Sequence, residues 1–301
     1  MIQFKTLTLA DKAWVLKLLR EENTKSADNS FTNMYTWNET YCKEVAEIHG
    51  NLVVKLLYRK TPFYAYPLGG GDKAATIREL QEDAASMPIP FKMRGLTEEN
   101  VKELEKLFPG QFCIELEKDT ADYVYDIEKL STMAGKKLHS KRNHINRFVK
   151  ENPGWVFETM TTQNTEECRA MCEKWIELHQ EHGNFSGERK ALSHMFDDFE
   201  ALGLDGGIIR SEENGGIVAL AMGEQLNDAI YVVHVEKAFA DVHGAYTIIT
   251  REFSRYIREN IPNIRYINRE DDLGLESLRK AKRSLHPDFM VEKFIAAVRL
   301  G

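Results

Sequence analysis

The chain is poor in cysteine, lacks a long apolar run and carries no surplus of positive charge, and each shortage removes a class of protein. Its four cysteines, Cys42, Cys113, Cys168 and Cys172, form no CxxC pair. Reduced, buried thiols are therefore expected in place of a disulfide framework or a thiolate metal centre, and no metal is predicted. No apolar stretch approaches the roughly 18 residues that a membrane span needs. The opening MIQFKTLTLADKAW lacks the basic-then-apolar pattern of a secretion signal. These absences predict a cytoplasmic protein without a transmembrane segment. A net charge of −7 argues against a general nucleic-acid coat. It hides one local reversal, because residues 136–150 hold six Lys/Arg and no acid.

What is present is ordinary for a globular protein, with 43% hydrophobic and 29% charged residues. At 301 residues the chain suits two domains, expected at 1–125 and 126–301. In the first half, Gln3 to Thr8 reads as a strand and Asp11 to Glu21 as a helix with Trp14, Leu18 and Leu19 on one face. SADNSFTNMYTW (26–37) fits no element. Strands follow at Leu52 to Tyr58 and Pro62 to Pro67, then Gly69–Gly71 and a helix from Ala74 to Ala85. A strand near Ile89 to Met93, a helix from Thr97 to Phe108 and a strand from Phe112 to Leu116 complete this half.

The second half repeats that order. A basic helix precedes a strand at Trp155 to Met160, a helix at Glu166 to His182 carrying Met171, Trp175 and Leu178, and a helix at Lys190 to Leu202. Strands at Gly207 to Arg210, Ile217 to Gln225 and Ala229 to Val235 lead to Gly244. The next helix, Ala245 to Arg258, shows a stripe of Tyr246, Ile249, Phe253, Tyr256 and Ile257. A strand at Ile264 to Asn268, a helix at Leu273 to Arg283 and a strand at Met290 to Val298 close the second domain.

Chemistry concentrates in Tyr266 to Pro287, YINREDDLGLESLRKAKRSLHP, which carries Glu270, Asp271, Asp272 and Glu276 followed by Arg279, Lys280, Lys282 and Arg283. Asp272 as a cap, acids in the first turn and bases in the last account for a surface helix. They do not account for Asn268 to Asp271, which sit at the carboxyl end of a strand, where α/β sheets place ligands. In YVVHVEKAF (231–239), His234 and Glu236 share a strand face, and Glu236 is placed to take a proton from an attacking amine or hydroxyl. The plainer alternatives are a satisfied core histidine at 234, which is preferred, and Glu236 and Lys237 merely ending the strand.

Glycine before a helix lets a phosphate approach the free N–H groups. Gly244 stands in such a place, yet Asp241 three residues before it and Tyr246 two after disfavour a pyrophosphate by charge and by size. Gly69–Gly71 reads more readily as a turn than as a phosphate cradle. On the basic helix, Leu138, Ile145, Phe148 and Val149 form an apolar face, leaving Lys136, Lys137, Lys141, Arg142, Asn143 and Arg147 for a polyanion such as a tRNA backbone or an anionic lipid head group. His179 and His182 lack the further ligands that a metal would need.

The element order resembles the GNAT acyltransferase fold, in which a glycine turn leads into a helix N-terminus. The segments GKKLHSKRNHINRF, HVEKA, HGAY and INREDDLGLESLRKAK with Pro287 together resemble the bacterial family grouped with the C-terminal domain of phosphatidylglycerol lysyltransferases, closely over about 120–300. That family is similar to tandem-GNAT proteins, including Fem-type peptidyltransferases that take an amino acid from aminoacyl-tRNA.

The resemblance implies an α/β (α+β) fold of two tandem GNAT-like domains, each with a mixed, mostly antiparallel sheet flanked by helices. It implies an aminoacyl-tRNA donor with no further cofactor, in preference to acetyl-CoA. It also implies an aminoacyl site lined by Asn268, Arg269, Glu270, Asp271, Asp272, Arg279 and Lys280. Glu236 or Asp271 would be the base, Arg279, Lys280 or Lys282 would neutralise the tRNA terminus or the oxyanion, and His234, Lys237 and Tyr246 would contact substrate. The alternatives are a CoA-dependent N-acetyltransferase, with Gly244 at the cofactor, and a non-catalytic module that binds a ligand or a polyanion.

Overall fold

A computed structural model describes residues 2–58, 61–87, 90–182 and 185–299. The chain falls into two compact units, one formed by Met1–Asp122, Asp271–Leu275 and Met290–Gly301, the other by Tyr123–Glu270 and Glu276–Phe289. The boundary expected between 125 and 126 thus lies near the observed passage at 122–123, but the later part of the chain returns twice to the first unit.

The strands, in chain order, are β1 (Lys5–Thr6), β2 (Glu44–Ile48), β3 (Asn51–Tyr58), β4 (Thr61–Ala65), β5 (Lys92–Leu96), β6 (Phe112–Leu116), β7 (Asp122–Asp126), β8 (Val156–Thr159), β9 (Asp205–Ser211), β10 (Gly216–Gln225), β11 (Ile230–Ala238), β12 (Tyr266–Asn268), β13 (Phe289–Val291) and β14 (Phe294–Val298). One sheet has the order β1-β2-β3-β4-β5-β14-β6, the other β13-β7-β12-β11-β10-β9-β8. Neighbours are mostly antiparallel, but β4 and β5 run parallel in the first sheet, and so do β11 and β12 in the second. This is the mixed, helix-flanked architecture that the sequence predicts.

Each parallel pair needs a crossover helix, and each crossover starts at a glycine-bearing turn. In the first unit it is Lys73–Ala85, capped by Asp72, whose side chain accepts from the Ala75 N–H at 2.9 Å. Ile77 and Leu80 bury its inner face beside Tyr64, Met93 and Phe112. In the second it is Ala245–Asn260, whose Ile249, Phe253 and Ile257 pack on Ile209, Tyr231 and Ile267 as the helical stripe predicts.

The last strand corrects an expectation. β14 pairs with β5 and β6 of the first sheet, with Ala296 opposite both Met93 and Ile114, so it completes the first unit instead of closing the second. Ala296 is fully buried there. The helix expected from Leu273 starts at Glu276, because Leu273 and Gly274 have φ of 52° and 72°, outside helical backbone. The unassigned 26–37 stretch folds into a short 3₁₀ turn, Ala27–Asn29, and a helix, Phe31–Thr36, with Phe31 and Met34 buried. Ile89 lies outside the described residues, and the strand expected there is β5, a few residues later.

Candidate active site

In the second unit β11 and β12 pair only over Ile230–Val232 and Tyr266–Asn268. Beyond Asn268 the chain follows β7 instead, as the Arg269 N–H donates to Tyr123 O at 2.9 Å and the Tyr123 N–H to Glu270 O at 3.0 Å. The parallel strands therefore part, and His234 and Glu236 lie on the stretch of β11 past its pairing with β12. Side chains from the departing segment bridge that gap.

Glu236 is held from two sides. Arg269 reaches it at 2.5 Å, with the two side chains only 11% and 13% exposed, and the Thr250 hydroxyl lies 3.0 and 3.1 Å from its oxygens. Arg269 also sits over the Tyr125 ring, 5.9 Å from its centroid. Lys141 from the basic helix adds a second cation. Burial lowers its pKa, the Arg269 charge lowers it further, and Glu236 opposes them. The Lys282 ammonium is buried against the Arg269 carbonyl oxygen at 2.5 Å and so fixes the backbone of the segment.

His234 is enclosed, its side chain 1% exposed, with Nδ1 2.8 Å from Glu270 and Nε2 3.0 Å from Glu224. Burial works against its charge, but the two carboxylates outweigh it and push the pKa up to about 9. Asn268 is buried too, and its side chain accepts the Glu270 N–H at 2.8 Å, which helps hold Glu270 at φ 58°.

Lys237 lies 3.5 Å from the centroid of the Trp175 ring and 2.5 Å from Glu188. Trp175 donates from Nε1 to Ala238 O and to the Tyr246 hydroxyl, at 3.1 and 3.0 Å. Lys237 and Tyr246 thus belong to one aromatic cluster.

Gly244 has a packing reason to be glycine. A Cβ there would lie 2.5 Å from the His144 carbonyl oxygen and 3.0 Å from Phe148 Cβ, and φ is 86°. The Ala245 N–H already bonds Val242 O, and the Thr247 N–H bonds Gly244 O. In the first unit, Gly69 and Gly70 donate to Glu22 and Glu21 at 3.1 and 3.3 Å, and Gly71 to Asn51 at 3.1 Å. The chain's own side chains fill that turn, as the turn reading expects.

The cationic helix, His139–Glu151, divides its charges. Arg142 donates to the carbonyls of Met133 and Gly135 at 2.6 and 2.7 Å, clamping the preceding turn. Arg147 pairs with Glu151 at 2.7 Å, and Asn143 lies 3.4 Å from His139. Lys137 is exposed, as are Asn143 and Arg147.

Asp271 and Asp272 belong to the first unit, where each accepts a backbone N–H two residues on, from Leu273 at 3.1 Å and Gly274 at 3.0 Å. Lys280 is exposed on the Glu276–Arg283 helix, and Arg279 lies 3.7 Å from Glu276. The side chain of His182 lies outside the described residues, and no metal-binding group of His, Cys, Asp or Glu occurs among those described. Thr250, Glu224 and Trp175 were not among the expected site residues. Thr250 carried a signal, since it lies one residue after Ile249 on the helix that faces β11.

The chain's structure is similar to a conserved protein of unknown function from Bacteroides thetaiotaomicron VPI-5482, with a TM-score of 0.93 and 37% identity over 99% of this chain and 100% of that one. It shares its fold with the C-terminal domain assigned to a lysylphosphatidylglycerol synthetase of Agrobacterium fabrum, with a TM-score of 0.67 and 14% identity over 97% and 93%. FemX, with a TM-score of 0.60 and 10% identity over 99% and 98%, has the same fold. An uncharacterised protein of Mycoplasmoides gallisepticum is 23% identical over 190 residues, 61% of this chain, and the match spans 58% of that curated relative's length. Among the described residues no helix is long and apolar enough to cross a membrane. The family described as phosphatidylglycerol lysyltransferase, C-terminal, matches residues 20–297, and the chain belongs to it.

Proposed function

We propose that the protein transfers an amino acid from aminoacyl-tRNA to an amine or hydroxyl acceptor at the parting of β11 and β12. The observation that carries this reading is Glu236, a carboxylate on β11 just past its pairing with β12, held between Arg269 and the Thr250 hydroxyl, with the charge of Lys141 nearby. The acceptor N–H or O–H attacks the ester carbonyl and its proton passes to Glu236. The new acyl bond forms as the bond to the ribose oxygen breaks, and Glu236 returns the proton to that oxygen. Arg269 and Lys141 supply fixed positive charge for the oxyanion.

Membership of the family supports an aminoacyl donor and a phosphatidylglycerol hydroxyl as acceptor. The exposed basic face around Lys137 suits the tRNA backbone. Acetyl-CoA is the runner-up donor, disfavoured by the helix packed over Gly244 and by the amides already engaged in that turn. A structural ion-pair network has one observation of its own in its favour, the fully engaged His234.

The test is incubation of the purified protein with labelled aminoacyl-tRNAs and either phosphatidylglycerol vesicles or a cell extract. Label moves to an acceptor, and Glu236→Gln slows this by on the order of 100-fold or more. Transfer from acetyl-CoA alone, or full activity in Glu236→Gln, overturns the reading.

A further inference from the structure

A cavity of about 190 Å³ lies within the first unit and is lined by residues of that unit alone. Its wall carries acids and bases in equal number, Asp28, Glu117 and Asp271 against Lys43, Arg94 and Lys293. Met34, Tyr41, Val54 and Leu56 give it an apolar side.

The charges are set in place without a ligand. Lys293 is 2% exposed, and its ammonium lies 2.7 Å from both Asp122 and Asp28. Asp122, fully buried, also accepts the Ala27 N–H at 2.8 Å, which ties down the turn that carries Asp28. Arg94 pairs with Glu117, and Lys43 donates to Asn33 O at 3.1 Å. An ion cluster of this kind is a poor way to stabilise a core, since well-packed apolar residues do as well or better. Around an open volume it orients a small polar ligand.

The volume falls below the roughly 300 Å³ at which sites for drug-sized ligands begin, a size that suits a small metabolite. Equal numbers of both signs favour a ligand that carries both, and the apolar side favours an aliphatic tail. We propose that the first unit binds a free aliphatic amino acid in this cavity, its ammonium on Asp28 and Asp271, its carboxylate on Lys43 and Arg94, and its side chain on Met34, Val54 and Leu56. The stretch that fits no element in the sequence, 26–37, supplies part of this wall.

Isothermal titration with L-leucine, isopentylamine and 4-methylpentanoate tests this directly and needs no transfer activity. L-leucine binds, and each analogue with one charge binds at least about tenfold more weakly. Asp28→Asn and Ala65→Leu, which fills the cavity, each weaken L-leucine by a similar factor, with circular dichroism showing that the variant is folded at the titration temperature. If Ala65→Leu does not fold, Asp28→Asn carries the comparison. No binding of L-leucine, equal binding of the amine, or unchanged affinity in both variants overturns the proposal.

Discussion

Glu236 and Arg269 meet at 2.5 Å across the gap that opens beyond Asn268, one from the strand that continues and one from the segment that turns away. Neither charge has ready access to water, so each depends on the other. Arg269→Ala leaves the Glu236 carboxylate with Thr250 and Lys141 and is expected to cost about 2–4 kcal/mol of stability. Glu236→Gln keeps the shape and is expected to cost less. Denaturant titration of both variants checks the order.

His234 makes stability depend on pH in the alkaline direction. Its folded pKa of about 9 lies above the ordinary 6.5. The stabilisation from its charge is therefore complete below pH 6.5 and is lost as pH rises through about 9. Unfolding free energy should fall by up to about 3 kcal/mol across that window. In His234→Gln this loss should be absent, and denaturation at several pH values would show it.

Gly244→Ala should destabilise by more than backbone strain alone, because the added methyl meets a helix carbonyl at 2.5 Å. Gly95→Ala is the matched control, with φ of 74° and nothing within 4 Å. Its cost should be about 1–2 kcal/mol. The difference between the two melting temperatures measures the helix contact.

Lys293→Met would strand the fully buried Asp122 and should cost about 3–5 kcal/mol. Lys293→Met combined with Asp122→Leu should recover a large part of that. A double-mutant cycle by denaturation gives the coupling.

On the basic helix the charges should separate by role. Lys136→Ala and Lys137→Ala, both at exposed side chains, should each lower the slope of log affinity against log salt for tRNA by about 1. Arg142→Ala should mainly lower the melting temperature, because its guanidinium holds two carbonyls of the preceding turn.

The periodicities that make the helices and central strands were plain, as the Ile249, Phe253 and Ile257 stripe shows. What stayed hidden depended on backbone sign or on distant partners. Leu273 looks like a helical residue and takes positive φ, which no local pattern announces. Met290–Val298 reads as one strand, but the chain divides it into β13 and β14, and pattern alone does not say that these join different sheets. Within the site, Glu236 could be singled out from its strand face beside His234, and Arg269 from the dense stretch that begins at Tyr266. Their pairing could not, since 33 residues separate them and only the parting of two strands brings them together. Lys293 gave no signal at all, because a lysine next to Glu292 at the start of an apolar run looks like an ordinary surface group.

The insertion of β14 between β5 and β6 has a consequence for biosynthesis. Until residue 298 has left the ribosome, β5 lacks one neighbour and β6 lacks the only strand it pairs with in the sheet order. The first half to be made cannot finish folding first. It must wait, with open strand edges, for the whole second unit to be synthesised, and this is the interval in which nascent chains are most prone to wrong pairing and most in need of chaperones.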